Sequence, residues 1–181
     1  MTAYLADTPV LETERLTLRA PVISDYPACS AFICSERAAF VRAEPGTPRL
    51  AWRVLSNMTG MWALRGYGLF VFCDRHSGAA LGAAGPWHPI DWPELEIGWS
   101  VWAEEAEGKG IAAEAAEAVR DYIYGPLGST TAVSYIDPAN TRSIALAERI
   151  SCTVDNAAPQ PDFGQQGPVL VYRHPAPEAL Q

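Results

Sequence analysis

Lysine is almost absent from this chain: of 13 basic residues 12 are arginine, and the single lysine is Lys109. Against 21 carboxylates this leaves a formal charge of -8. That balance excludes an ordinary nucleic-acid binder, which needs basic residues to displace counterions from phosphates. Long apolar runs are missing as well. Nothing approaches the ~18 consecutive apolar residues of a membrane span, and the longest run, Tyr67 to Cys73, has strand length and contains a glycine. The amino terminus, Met-Thr-Ala-Tyr-Leu-Ala-Asp, has no basic stretch followed by an apolar one, so no secretory signal is expected. Cys29, Cys34, Cys73 and Cys152 form no CxxC pair, and with only His76, His88 and His174 no metal site can be assembled. Reduced thiols in a cytoplasmic protein are the expectation.

What is present is enough for one domain. The 181 residues are 49% hydrophobic and 19% charged, sufficient for a real core, with no repeat and no low-complexity linker. The ordered part is expected over residues 10–174. Residues 10–19 alternate at Leu16 and Leu18 and read as a strand, ended by Pro21. Ser24 and Asp25 offer caps for a helix through Ile33, and Leu50, Val54, Met58, Met61 and Trp62 give 49–65 a helical apolar face. Leu69 to Asp74 and Ala80 to Trp87 form a hairpin about His76-Ser77-Gly78, and a loop to Pro93 carries Trp87, His88 and Trp92. Leu95 to Trp102 is a further strand, interrupted by Gly98 as at a bulge or a close approach. A helix over Ile111–Tyr124, a strand over Thr130–Ile136, a helix from Asn140 to Ile150 and one or two strands before Arg173 complete the order. This is a single α/β (α+β) domain, with a mixed central sheet of about six to seven strands flanked by about four helices.

The segment Glu107-Gly-Lys-Gly-Ile-Ala112 lies between a strand and a helix start. Its glycines let backbone approach a ligand, and free N–H groups at a helix N-terminus attract anions. Lys109 adds a cation at the same place. The loop lacks the GxxxxGK[ST] of a Walker motif, and Ala113 stands where a Rossmann fingerprint needs its third glycine. A capped, flexible turn is the competing reading.

Glu96-Ile-Gly-Trp-Ser-Val-Trp followed by Gly108-Lys-Gly-Ile-Ala-Ala-Glu-Ala resembles the acetyl-coenzyme A motif of the GNAT superfamily of N-acetyltransferases, in particular its RimJ/RimL-type branch. Leu11-Glu-Thr-Glu-Arg-Leu-Thr-Leu-Arg is similar to the branch's opening strand, Gly66-Tyr-Gly-Leu-Phe-Val-Phe to its first hairpin strand, and Asn140-Thr-Arg-Ser143 to its Asn-x-x-Ser helix start. Two departures stand out. Glu107 occupies a position where Gln or Arg is usual, bringing negative charge toward a pyrophosphate, and Ser151-Cys152 replaces the usual Gly-Phe.

The resemblance implies a GNAT-like domain using acetyl-CoA as cosubstrate. Trp99, Ser100 and Val101 would pair with the pantetheine arm like an added strand. Gly108, Lys109, Gly110, Ile111 and Ala112 would hold the pyrophosphate, and Asn140 would cap its helix or touch pantetheine. Acyl transfer to an amine needs a neutral nucleophile, a polarised carbonyl and a protonated leaving group. Glu96 is the candidate base, if its surroundings desolvate it; an edge carboxylate paired with arginine is the alternative. Ser143 is the candidate acid, with a helix-capping role as its alternative and Tyr135 and Tyr172 behind it. Trp62, Trp87, His88 and Trp92, with Phe40, are candidates for the acceptor pocket, although aromatics at such spacing also build cores.

Between Asp91 and Glu117 lie eight carboxylates and one lysine, which would steer a cationic acceptor if they rim the site. The partners expected are a small-molecule amine or a protein N-terminus, with no nucleic acid and no membrane, and a homodimer is left open. A non-catalytic acyl-CoA-binding domain of the same fold is the rival. A nucleotide or kinase module is disfavoured because no Mg²⁺-binding constellation accompanies the loop.

Overall fold

The computed structural model describes residues 7–162 and 167–180. Most of the amino-terminal segment read for a secretory signal lies outside them. Among the described residues, eight strands form one mixed sheet accompanied by four α-helices. The strands are β1 (Leu11–Glu12), β2 (Leu16–Arg19), β3 (Phe70–Asp74), β4 (Ala80–Trp87), β5 (Glu96–Val101), β6 (Val133–Ile136), β7 (Thr153–Val154) and β8 (Leu170–Arg173). The helices are α1 (Tyr26–Ile33), α2 (Pro48–Arg65), α3 (Ile111–Tyr124) and α4 (Thr141–Arg149). The sheet order is β1-β2-β3-β4-β5-β6-β8-β7, antiparallel throughout except between β5 and β6.

Alternation decides the two faces. Leu16, Leu18, Phe70 and Phe72 turn to the side of α3 and pack on Val119 and Ile123, while Val71, Cys73 and Ala83 turn to α1 and α2. Four of the nine buried residues of α3 are alanine, Ala112, Ala113, Ala115 and Ala116, which lets the sheet and α4 lie close to the helix. α2 begins on Thr47, whose hydroxyl accepts from Leu50 N–H, with Pro48 at its first position, and ends on left-handed Gly66.

Three expectations change. The segment 10–19 is a hairpin rather than one strand: Thr13 and Leu16 close a turn, and Leu11 faces Leu18. That turn, with the short β7, brings the strand count to eight. Gly98 lies opposite Gly85 in an unbroken β4–β5 register, and the sheet's irregularity falls at Phe72/Cys73 instead. Asp25 is no open helix cap, since both its oxygens bind the Arg19 guanidinium at 2.7 and 2.8 Å in a buried pair.

The end of α4 explains one departure from the family pattern. Cys152 N–H reaches the Ala147 carbonyl at 2.9 Å and Ser151 N–H the Glu148 carbonyl at 3.0 Å, the two bonds of a Schellman stop. Ser151 therefore sits at φ +67°, a left-handed conformation suited to glycine. Relieving it in Ser151→Gly outweighs the added freedom of the unfolded chain, so stability should rise by about 1 kcal/mol, or roughly 2–4 °C in melting temperature, by thermal denaturation.

Candidate active site

The site begins where two strands part. β5 and β6 run parallel, yet only Glu96 and Val133 stand in register, with Val133 N–H on the Leu95 carbonyl at 3.0 Å. Beyond that pair, side chains take over the ladder's groups. The Tyr135 N–H donates to the Glu96 carboxylate, and the Ser134 hydroxyl donates to the Ile97 carbonyl at 2.7 Å. His174 lies behind, its Nε2 at 3.0 Å from Ser134 Oγ. Because that hydroxyl's proton is on Ile97, Nε2 carries the hydrogen of this contact. Burial, with the Arg120 charge adding to it, pushes His174 down to about 3, so it stays neutral.

Beyond the parting lie two cavities. One of about 600 Å³ reaches Glu96, Trp87, Trp92, Phe40 and Tyr135. The other, about 410 Å³, runs past Val101, Gly108, Gly110, Ile111 and Ala112. They meet at Trp99, Ser100, Asn140 and Ser143, which line both.

Among the described residues, Glu96 is the only carboxylate of the larger cavity besides Asp137, which accepts from Ala139 N–H in its own turn. It is half-buried, reachable from the cavity and otherwise enclosed by protein. Trp92 Nε1–H donates to Glu96 Oε2 at 2.7 Å. Burial pushes the Glu96 carboxyl up to about 7, against the opposing hydrogen bonds from the Trp92 indole and the Tyr135 backbone. No arginine pairs with it in any ion pair of the described residues. Gly98 leaves the space beside it open, for a Cβ there would stand 3.8 Å from Glu96 Oε1.

At the junction, Asn140 Oδ1 accepts from Ser143 N–H and so caps α4. That frees the Ser143 hydroxyl from capping. Trp99 Nε1–H donates to Ser143 Oγ at 3.3 Å, occupying an acceptor lone pair and leaving the O–H to donate. Tyr135 lines the larger cavity, but burial pushes its phenol up to about 12. Tyr172 packs in the α3–α4 core and reaches Glu148 instead.

The smaller cavity ends at the N-terminus of α3. No side chain caps that helix, and Gly108 and Gly110 hold φ of +70° and +75° beside it. Its N–H groups and dipole form an anion cradle. Arg37, Arg142 and Arg149 line the same cavity. Glu107 does not act as an open negative charge: Arg37 Nε holds its Oε1 at 2.8 Å and Arg142 Nη1 its Oε2 at 2.7 Å. Arg37 also donates to the Val101 and Trp102 carbonyls, tying the end of β5 to the loop. From the other side, Arg15 binds Glu114 in the first turn of α3 and the Lys109 carbonyl at 2.9 Å. This arrangement suits an anionic cofactor with an extended arm.

Several expected residues fall elsewhere. Lys109 is exposed between the two glycines and does not line the cavity, whose cationic side chains among the described residues are Arg37, Arg142 and Arg149. Trp62 is only 4% exposed, stacked edge-on against Phe70 at 4.8 Å with its indole N–H on the Leu69 carbonyl; it is core. His88 bonds the Trp92 carbonyl at 3.2 Å and braces the loop without lining the cavity. The carboxylate-rich stretch does not form an acidic bowl, since Glu94, Glu107 and Glu114 are taken up by Arg173, Arg37 with Arg142, and Arg15. Arg37, Arg149, Ser134 and His174 carried no sequence signal, being joined to the site only across long stretches of chain. Arg142 lies inside the Asn140–Ser143 motif and was within reach.

Parted parallel strands, a carboxyl raised by burial and a glycine-lined anion cradle thus lie along two joined cavities. A family model for the GNAT acetyltransferase domain matches residues 15–153, and the chain belongs to that family, whose enzymes use acetyl-CoA. Among solved structures it is similar to an acetyltransferase from Agrobacterium tumefaciens C58, 37% identical over 97% of this chain and 98% of that one, with a TM-score of 0.83. A GNAT-family acetyltransferase from Bordetella pertussis is 26% identical over 92% of this chain and 99% of that one, with a TM-score of 0.72. RimL, a ribosomal L7/L12 alpha-N-protein acetyltransferase solved in complex with coenzyme A, is 18% identical over 92% of this chain and 97% of that one; its TM-score of 0.70 shows a shared fold. No helix of the described residues is long and apolar enough to cross a membrane.

The loop cations can be ranked. Arg149 makes no ion pair among the described residues and its Nη2 lies 3.9 Å from where a Gly110 Cβ would stand. Arg149→Ala should weaken coenzyme A binding by about fivefold, roughly 1 kcal/mol at low salt and less at high salt. Lys109→Ala should stay within about twofold, both affinities being read by calorimetric titration with coenzyme A.

Proposed function

We propose that the protein is an acetyl-CoA-dependent N-acetyltransferase that acts on a primary amine, a small molecule or a protein N-terminus, by direct attack with both substrates held together. The resemblance to the RimJ/RimL branch supports an amine acceptor, and a cytoplasmic setting accords with it. The observation that carries the reading is Glu96. Among the described residues it is the one carboxylate that lines the larger cavity without a cation or its own turn as partner, and it stands at the strand parting beside the cofactor channel.

When bound, acetyl-CoA supplies an acetyl group activated as a thioester. Gly108, Gly110, Ile111 and Ala112 would hold its phosphates together with Arg142 and Arg149, and the open edge of β5 at Trp99–Val101 would face its arm. Glu96, once ionised, takes a proton from the incoming ammonium, so that the nitrogen has a free lone pair within the cavity. Ser143 holds a donatable proton where the two cavities join, suited to a leaving sulfur. With both substrates confined in adjoining spaces, no covalent intermediate on the protein is needed. The rival reading of a non-catalytic binding domain draws on Glu107 and Ser151-Cys152. Glu107 is neutralised by two arginines, and Ser151 with Cys152 closes the far end of α4, away from both cavities.

Glu96→Gln should lower kcat by about 10²–10³-fold in a thiol-release assay, whereas coenzyme A binding without turnover on any amine would contradict the reading. In the wild type kcat/KM should rise with pH up to about 7 through Glu96 and then level, because the ionised carboxylate is the active form. The same sign governs stability. A carboxyl raised in the fold holds its proton more tightly there than in the unfolded chain, so ionisation erodes stability from the ordinary carboxylate range up to about 7. Glu96→Gln should therefore melt no lower than the wild type at pH 8.

A further inference from the structure

The larger cavity constrains the acceptor more closely than its reaction does. Its walls away from the cofactor channel are Met58, Trp87 and Trp92, with Val54 and Leu69 beside them, and Phe40 joins them from the junction of the two cavities. Its charges are few. Arg42 lines it, donates to the Ser35 and Glu44 carbonyls and lies 3.7 Å from Glu36, which braces the 35–44 segment. Asp137 is exposed, with one oxygen on Ala139 N–H in its own turn, and Glu96 must take the reacting ammonium's proton. A second or third ammonium group seated against the apolar walls would meet aromatic rings and a thioether, with no carboxylate among them to balance its lost hydration. An apolar body would instead replace water along these walls at about 25 cal/mol per Å² buried. At about 600 Å³ the cavity has the size of a small-molecule site.

We infer that the acceptor is a monoamine whose nitrogen is attached to an aromatic or branched apolar body, the apolar body seated among Phe40, Met58, Trp87 and Trp92 and the amine turned to Glu96. This rests on the N-acetyltransferase reading and narrows it: polyamines and aminoglycosides are disfavoured, and the steering of cationic acceptors by the acidic stretch is replaced by apolar selection. The same chemistry is offered by a free arylalkylamine and by a peptide whose first residue is phenylalanine or tryptophan. Phe40 and Val41 are both close to half exposed at the junction of the cavities, so the site is reached from solvent there.

The test compares kcat/KM at saturating acetyl-CoA for phenethylamine, a Phe-initiated peptide, an Ala-initiated peptide, spermidine and an aminoglycoside. Phenethylamine or the Phe-initiated peptide should exceed each of the other three by at least tenfold, and which of the two leads identifies the source. Phe40→Ala, a half-exposed position that the fold tolerates, should raise KM for the leading acceptor several-fold with kcat little changed. Asn57→Asp, at an exposed position on the same cavity, should shift the ratio of spermidine to phenethylamine by about tenfold toward spermidine. If spermidine, the aminoglycoside or the Ala-initiated peptide is the best substrate of the wild type, the inference is overturned while the acetyltransferase reading stands. If no amine is acetylated although coenzyme A binds, both fall.

Discussion

The site depends on the parting of β5 and β6. A parallel ladder that continued past Glu96 and Val133 would spend its N–H and C=O groups between the strands and close the sheet. Glu96 and Ser134 prevent this by taking one ladder group each, the Tyr135 N–H and the Ile97 carbonyl. These two ladder groups therefore keep a hydrogen-bond partner where the strands separate, which spares the opening the cost of leaving them bare. His174, neutral and buried, fixes the Ser134 hydroxyl from behind. One pair of side chains thus makes the opening and supplies the carboxyl that works in it.

The same economy governs charge. A net -8 spread over the surface would oppose an anionic cofactor, yet around the cradle the carboxylates are held by arginines from distant parts of the chain. Arg37 spans from the segment after α1 to Glu107, and Arg15 spans from the first hairpin to α3. These pairs draw the loop to the sheet from both sides and leave Arg149 and the open N-terminus of α3 facing the cavity. Their contribution is placement more than stability, since exposed pairs are worth little by themselves.

The sequence made the frame of the fold legible wherever local chemistry was sufficient. The helical period and caps placed α2 and α3 closely, and alternation placed β3, β4 and β5. The turn at Thr13–Leu16 was missed because its hydroxyl and backbone bonds interrupt a pattern that still alternates on either side. Glu96 was legible from its place in the motif, and the structure adds the desolvation that raises its carboxyl. Lys109 was overweighted. Rarity marks a residue in a sequence, but a side chain between two left-handed glycines need not face the ligand that their backbone faces. Trp62 and His88 show the limit of aromatic spacing, because whether a ring lines a cavity or fills a core is settled by the opposite strand.

Glu96 is a base only if the folded protein holds its carboxyl near neutrality. Carbon-13 NMR of the full chain labelled at glutamate side chains, with Glu96→Gln assigning the resonance, measures that directly. A midpoint of about 7 for Glu96 is the result expected from its burial at the strand parting. A midpoint in the ordinary carboxylate range, near 4.5, would contradict the account, whatever the activity of the variant.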